Sequence, residues 1–174
     1  MKSILLLRHA KSAWDQPGLD DHDRPLNRRG ERAAEAMAIH IVRNVPRPDL
    51  ILCSTAVRTR QTLAPLVYRL TAPAPPIALE RGLYLASASA LLDRLRALEE
   101  EVGTVLLIGH NGGIGELAEN LAGSGRATDL TALRTKYPTG TLAMMRAPAA
   151  LWSGLTLGSA ELLSFVRPRD LLGE

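Results

Sequence analysis

The chain is short of three things, and each shortage closes a class of function. Cys53 is the single cysteine among 174 residues, so no intramolecular disulfide can form and a reducing compartment, the cytoplasm, is the expected location. Within its apolar run the thiol reads as a small buried hydrophobe. Aromatic residues make up 3% of the chain, too few for the stacking platforms that grip single-stranded nucleic acid. The net charge of +3 comes without any dense Lys/Arg run. That leaves anionic small groups and acidic protein surfaces as partners and argues against nucleic acid. Long hydrophobic runs are missing too: Ile4 to Leu7 is far shorter than a signal-peptide core, and no stretch approaches a membrane span. No membrane partner is expected.

What is present describes one globular domain over residues 1–174, with 46% hydrophobic and 22% charged residues. Apolar runs alternate with helix-patterned segments. Ser3 to Arg8, Asp49 to Cys53 and Thr104 to Gly109 read as strands, with Thr141 to Arg146 and Ala160 to Arg167 finishing the sheet. Helices are predicted from about Arg28 to Arg43 behind an Asn27 cap, Ala56 to Leu70, Ser87 to Glu101 and Ile114 to Leu121. Pro65 should kink or shorten the second of these. Pro73 to Pro76 reads as an extended connector and Gly123 to Pro138 as a polar loop. The pattern predicts an α/β fold, a three-layer α/β/α sandwich around a largely parallel sheet. Ligands of such sheets sit beyond the carboxyl ends of the strands.

Those ends carry the chemistry. The first strand finishes at Arg8-His9, the third at Gly109-His110, and Ser54 stands at the second, with Arg58 just inside the following helix. A neutral imidazole whose other nitrogen donates to a backbone carbonyl can attack phosphorus, giving a phosphohistidine intermediate. The phosphoryl group in flight spreads charge over its equatorial oxygens, so fixed cationic donors do most of the work. Arg8 and Arg58 supply planar forks for that task, with a protonated His110 as a third donor. The turn Asn111-Gly112-Gly113 adds backbone N–H groups at a helix start.

In order and spacing these residues resemble the histidine phosphatase superfamily, also called phosphoglycerate-mutase-like, and within it the compact SixA-type phosphohistidine phosphatases. The likeness runs through Leu7-Arg8-His9-Ala10-Lys11-Ser12-Ala13-Trp14, Asp23-Arg24-Pro25-Leu26-Asn27 with Gly30, Cys53-Ser54-Thr55-Ala56 to Arg58, Gln61 and Thr62, and Gly109-His110-Asn111. Tyr137-Pro138-Thr139-Gly140 and Phe165 to Leu171 fit the SixA-like branch. The resemblance implies a phosphoglycerate-mutase-like fold with His9 as nucleophile, Arg8 and Arg58 on the phosphate and His110 completing the pocket. It requires neither cofactor nor metal. Thr139 faces the pocket by this likeness alone. Asn111 and Ser12 are read as substrate contacts, although a strand-to-loop turn also accounts for Lys11 and Ser12.

The departures bear on substrate. Ala10 replaces the superfamily's usual glycine, Lys11 stands where mutase relatives are acidic, and Asp15 where they carry a phosphate-touching asparagine. The larger enzymes take a glutamate acid from mid-chain; here Glu80 is nearby, but Leu83 sets a register in which that position is apolar. Asp15, Asp20 and Asp21 are the other carboxylates within reach of a proton-donor role. A missing acid favours a leaving group that needs little help. Imidazole, with a pKa of about 6.5, is one, and an alkoxide is not. Protein phosphohistidine is therefore the expected substrate, with small phosphate esters as the alternative and a non-catalytic phosphate- or phosphoprotein-binding module after that. A metallohydrolase built on His9, His22 and His110 is disfavoured because two arginines repel a divalent cation. His22, among Asp20, Asp21 and Asp23, is read as part of a solvated loop, and Trp14 and Trp152 as packing residues.

Overall fold

A computed structural model describes residues 1–174. Seven strands form one sheet in the order β3-β2-β4-β1-β6-β7-β5, comprising β1 (Lys2–Arg8), β2 (Leu50–Ser54), β3 (Ile77–Glu80), β4 (Thr104–Gly109), β5 (Ala122–Gly125), β6 (Leu142–Ala147) and β7 (Ala160–Val166). Only β6 runs against the rest, pairing antiparallel with β1 and β7. The central strands are apolar along Ile4–Leu7 and Val105–Ile108 because both of their faces are covered. Ile4 and Leu6 of β1, with Val105 and Leu107 of β4, pack beneath α3 (Ala88–Arg96) and α4 (Gly113–Leu121). Leu5, Leu7, Leu106 and Ile108 pack on the opposite side against α1 (Arg28–Asn44) and α2 (Val57–Arg69). Each of these fully buried side chains contributes about 1.5–3 kcal/mol. The expected three-layer α/β/α sandwich is therefore the fold.

Register places the functional residues. Arg8 pairs with Gly109 and Cys53 with Ile108, so β1, β2 and β4 end level with one another. His9 and His110 consequently leave adjacent parallel strands side by side, and the His9 N–H donates to the Gly109 carbonyl at 3.0 Å. Asn27 caps α1 as expected, accepting from the Gly30 N–H. Gly30 itself cannot be anything larger, since a Cβ there would lie 2.0 Å from the Lys11 carbonyl oxygen.

Several expectations need correction. Gly123 to Pro138 is not a loop: it contributes β5 and α5 (Ala127–Thr135). The Ala-Gly-Ser-Gly of β5 has no apolar alternation and is held at the sheet edge by backbone pairing with β7, while α5 buries only Leu133. Neither leaves a hydrophobic pattern to read. The segment Ile77–Glu80 after the proline connector is edge strand β3, again with weak burial. The helix expected through Glu101 ends at Arg96, where the Leu98 N–H turns to the Leu95 carbonyl and closes a tighter turn. Pro65 lies inside α2 without cutting it short. Cys53 is fully buried, and burial pushes its thiol up to about 12, which leaves it inert at neutral pH.

Candidate active site

The nucleophile candidate is fixed by its neighbours' backbone. His9 Nδ1 lies 2.6 Å from the Ala10 carbonyl oxygen, and a carbonyl can only accept. The proton therefore sits on Nδ1 and the lone pair on Nε2 is free. Helix α2 holds this arrangement: Thr62 Oγ1 accepts from the Ala10 N–H at 3.0 Å and donates to the Arg58 carbonyl at 2.7 Å. On the other flank the Gly140 N–H donates to the carbonyls of Arg8 and His9, at 3.1 and 2.9 Å. One hydroxyl and one amide thus tie the His9 loop to the helix that carries Arg58 and to the Tyr137–Gly140 turn.

The predicted quartet meets. The His9 and His110 rings are 5.4 Å apart between centroids. Arg58 is 4% exposed, and it bears on both imidazoles closely enough to disfavour their protonation. Arg8 donates through Nη1 to the Tyr137 carbonyl at 2.7 Å, while Tyr137 is anchored by its own hydroxyl donating to the Leu6 carbonyl at 2.6 Å. Arg8 Nε is buried without a protein partner, and so is His110 Nδ1. Buried polar atoms are rarely left unpaired, so two of them beside one imidazole call for a functional account.

The protonation of His110 differs from expectation. Burial, Arg58 and His9 push it down to about 3, so in the free protein it is neutral rather than cationic. Its Nε2 lies 2.8 Å from Ser54 Oγ, which accepts from the Ala56 N–H at 3.3 Å. We assign the Ser54 hydroxyl as donor to Nε2, which leaves the proton on Nδ1, the ring nitrogen without a protein partner. His9 is pushed down to about 4, chiefly by burial and further by Arg58, Arg8 and Arg24, against the opposing pull of the Ala10 carbonyl.

Both histidines are thus held below the ordinary imidazole value of about 6.5. As pH falls from there the unfolded chain takes up protons first, so their contribution to stability is complete above about pH 6.5 and is lost as pH drops through the folded values. The ring C–H resonances of His9 and His110 should hold constant from pH 8 to 5, with the urea midpoint declining below about pH 6. A histidine signal from either residue titrating near neutrality would contradict this electrostatic picture.

Two residues without an assigned role in the sequence reading belong here. Tyr84 stands edge-on to His110 at 5.3 Å and to His22 at 4.8 Å. Its hydroxyl donates to Asp21 at 2.5 Å. Arg24 is buried and donates to the Ala13 carbonyl, the Asp21 carboxylate and the Ser12 hydroxyl. Arg24 occurs in a motif already quoted, but nothing in the linear order says that a tyrosine after a 3₁₀ turn reaches a histidine from another strand.

The acidic loop is only partly solvated. Asp20 and Asp23 are exposed, but His22 turns inward, its Nε2 2.9 Å from Thr55 Oγ1. The Asp21 carboxylate pairs with Arg58 at 2.9 Å and Arg24 at 2.8 Å, and its carbonyl accepts from Arg58 Nη1 at 2.6 Å. Partial burial opposes ionisation of Asp21, but bonds from Tyr84 and Arg58 and the charges of Arg58 and Arg24 outweigh it and lower the carboxyl to about 2. Asp15 is exposed, and Glu80 is clamped fork to fork by Arg94.

Two of the three residues read as substrate contacts make bonds within the chain, and the third lines another cavity. The Ser12 hydroxyl is taken by Arg24. Asn111 is exposed and its Oδ1 accepts from the Gly115 N–H at 3.1 Å. Thr139 lines a separate groove with Lys11. Trp152 is fully buried as expected, whereas Trp14 is 78% exposed and lies over the Arg24 guanidinium at 3.2 Å instead of packing inside. No group of three or more His, Cys, Asp and Glu side chains is arranged to hold a metal ion, and no helix is long and apolar enough to cross a membrane.

A strand-end imidazole with a free nitrogen, ringed by guanidinium groups and a second histidine, defines a phosphoryl-handling α/β protein. Comparison narrows this class. Residues 4–83 match the model of the histidine phosphatase superfamily (branch 1). An uncharacterized protein of Mycobacterium leprae is 36% identical over 167 residues, covering 94% of this chain and all of that one. Two solved structures, each described as a putative phosphohistidine phosphatase SixA, superpose over 96% of this chain. The one from Agrobacterium tumefaciens has 33% identity and a TM-score of 0.79 over 99% of its length. The one from Nakamurella multipartitia has 28% identity and a TM-score of 0.82 over 96%. The chain belongs to the histidine phosphatase superfamily and is of the SixA type.

Proposed function

We propose that the chain is a metal-independent phosphatase that transfers a phosphoryl group from phosphohistidine on a protein to His9 and then to water. In the first step the substrate P–N bond breaks as a bond forms from phosphorus to His9 Nε2, and the departing imidazole takes a proton from solvent. Water then attacks the phosphohistidine, releasing orthophosphate and returning His9 to its neutral form. The observation that carries this reading is the bond from His9 Nδ1 to the Ala10 carbonyl, which aims an unprotonated nitrogen at the pocket. Arg8 Nε, the free N–H groups of Arg58 and His110 Nδ1–H are the donors for the equatorial oxygens. His110 fills that role as a neutral ring.

The choice of a P–N bond follows from the carboxylates. Asp21, lowered to about 2, is ionised at neutral pH and has no proton to give, and Glu80 is held by Arg94. A placed general acid contributes about 10²–10⁴-fold. Esters should therefore lag behind a phosphohistidine peptide by about a hundredfold or more in kcat/KM. The names carried by the two SixA-type structures point the same way.

Rapid-quench measurements on a phosphohistidine peptide, beside a panel of phosphate esters, test this. We expect a burst of dephosphorylated peptide and an acid-labile, alkali-stable phosphoenzyme, both indifferent to chelators. Equal turnover of a sugar phosphate would move the substrate to small esters, and chelator-sensitive activity restored by zinc or manganese would overturn the mechanism.

A further inference from the structure

A second cavity lies apart from the catalytic quartet. A groove of about 710 Å³ runs between the starts of α1 and α6 (Pro168–Leu172) and the side of α5, and its walls carry Lys11, Arg29, Lys136, Arg167 and Arg169 beside Thr139. Three of these cations, Lys11, Lys136 and Arg169, make no ion pair; Arg167 is engaged by Asp170 at 3.1 Å. Arg29 lies 3.5 Å from the chain's own Glu174, whose carboxylate also meets Arg32 at 3.4 Å. One acidic side chain therefore already rests on this wall.

The groove adjoins the catalytic centre through shared backbone. Lys11 lies two residues after His9, and the Tyr137–Gly140 turn holds Arg8 by one carbonyl and the His9 loop by one amide while Pro138 and Thr139 line the groove. Its chemistry is unlike a cofactor cleft. Five of its fifteen lining residues are Lys or Arg and one, Glu174, is acidic. No aromatic side chain lines it, so it offers nothing for a base to stack on.

We propose that this groove docks an acidic segment of the phosphoprotein substrate, so that carboxylates flanking the phosphohistidine are read by Lys11, Lys136 and Arg169. The claim that docking feeds the active site rests on the phosphatase reading above; the claim that the groove binds acidic peptide does not. Two measurements keep them apart.

The first is fluorescence anisotropy with a labelled Asp/Glu-rich peptide and its Asn/Gln counterpart, neither phosphorylated. The wild-type protein should bind the acidic peptide alone. Lys136→Glu with Arg169→Glu should weaken that binding about tenfold or more, as charge reversal at exposed contacts does. Raising salt from about 0.05 to 0.5 M should have a similar effect. Lys136→Gln with Arg169→Gln, which removes charge without adding repulsion, should give an intermediate loss and guards against misfolding of the reversal variant. Equal binding of both peptides, no binding, or displacement of the bound peptide by tripolyphosphate at concentrations well below those at which unlabelled acidic peptide competes would overturn the proposal, the last marking the groove as a small-anion site.

The second measurement is the ratio of kcat/KM for phosphohistidine peptides with acidic and neutral flanks, against phosphoramidate as a substrate without flanks. The ratio should exceed about tenfold and collapse toward one in the reversal variant. If acidic peptide binds while no phosphoramidate or phosphohistidine is cleaved, the groove stands and the phosphatase reading falls.

Discussion

Replacing His9 by alanine is expected to lower phosphohistidine turnover by about four orders of magnitude or more, the scale seen when a covalent nucleophile is removed, while leaving a folded protein that still binds phosphate. The ring makes one hydrogen bond, to the Ala10 carbonyl, and burial makes it reluctant to carry charge. Its removal breaks no network, because Thr62 and Gly140 hold the surrounding backbone through main-chain groups. Stopped-assay kinetics beside thermal unfolding would separate the two effects. A variant that keeps its melting point and retains substantial turnover would place the nucleophile elsewhere; one that loses both would show that His9 is structural.

Arg58→Ala should lower kcat/KM by about a hundredfold or more, the usual scale for losing a charge-stabilising donor, and two effects contribute. A phosphate donor disappears, and the Asp21 carboxylate, now paired on one side only by Arg24, is left facing the pocket. Like charge at that position repels the incoming phosphoryl group. Asp21→Asn in the Arg58→Ala background should therefore recover about tenfold of the loss, whereas Asp21→Asn alone loosens the hold on Arg58 and should lower activity. Double-mutant kinetics read this directly: if the second substitution deepens the defect, Asp21 is not the repelling group.

Much of this site is legible in linear order because it stands on strand ends. The runs Ile4–Leu7 and Val105–Ile108 are apolar at every position, which marks both as interior parallel strands, and the residues that follow them must emerge at the sheet's carboxyl edge. Arg8, His9 and His110 are found on that logic, and Arg58 from its place just inside a helix after β2. Residues that act through others leave no such trace. Ser12 is polar and three residues from the nucleophile, which suits a substrate contact, but only the fold shows Arg24 occupying its hydroxyl. Tyr84 reaches His110 because Glu80 pairs with Ser54 at the end of β3 and a 3₁₀ turn follows. That edge strand is too short and too exposed to announce itself. The charge state of His110 is equally a product of assembly: the same side chain on an isolated strand end would titrate near neutrality, and only burial beside Arg58 keeps it uncharged.

The pairing of Asp21 with Arg58 also decides which visitors the site can ignore. Two of the guanidinium's N–H groups are already occupied by a residue of the same chain. A dissolved anion therefore meets only the N–H groups that Asp21 leaves open, with a fixed carboxylate beside them. That carboxylate offsets part of the positive charge of Arg58, so loose ions are held less tightly than an unpaired guanidinium would hold them.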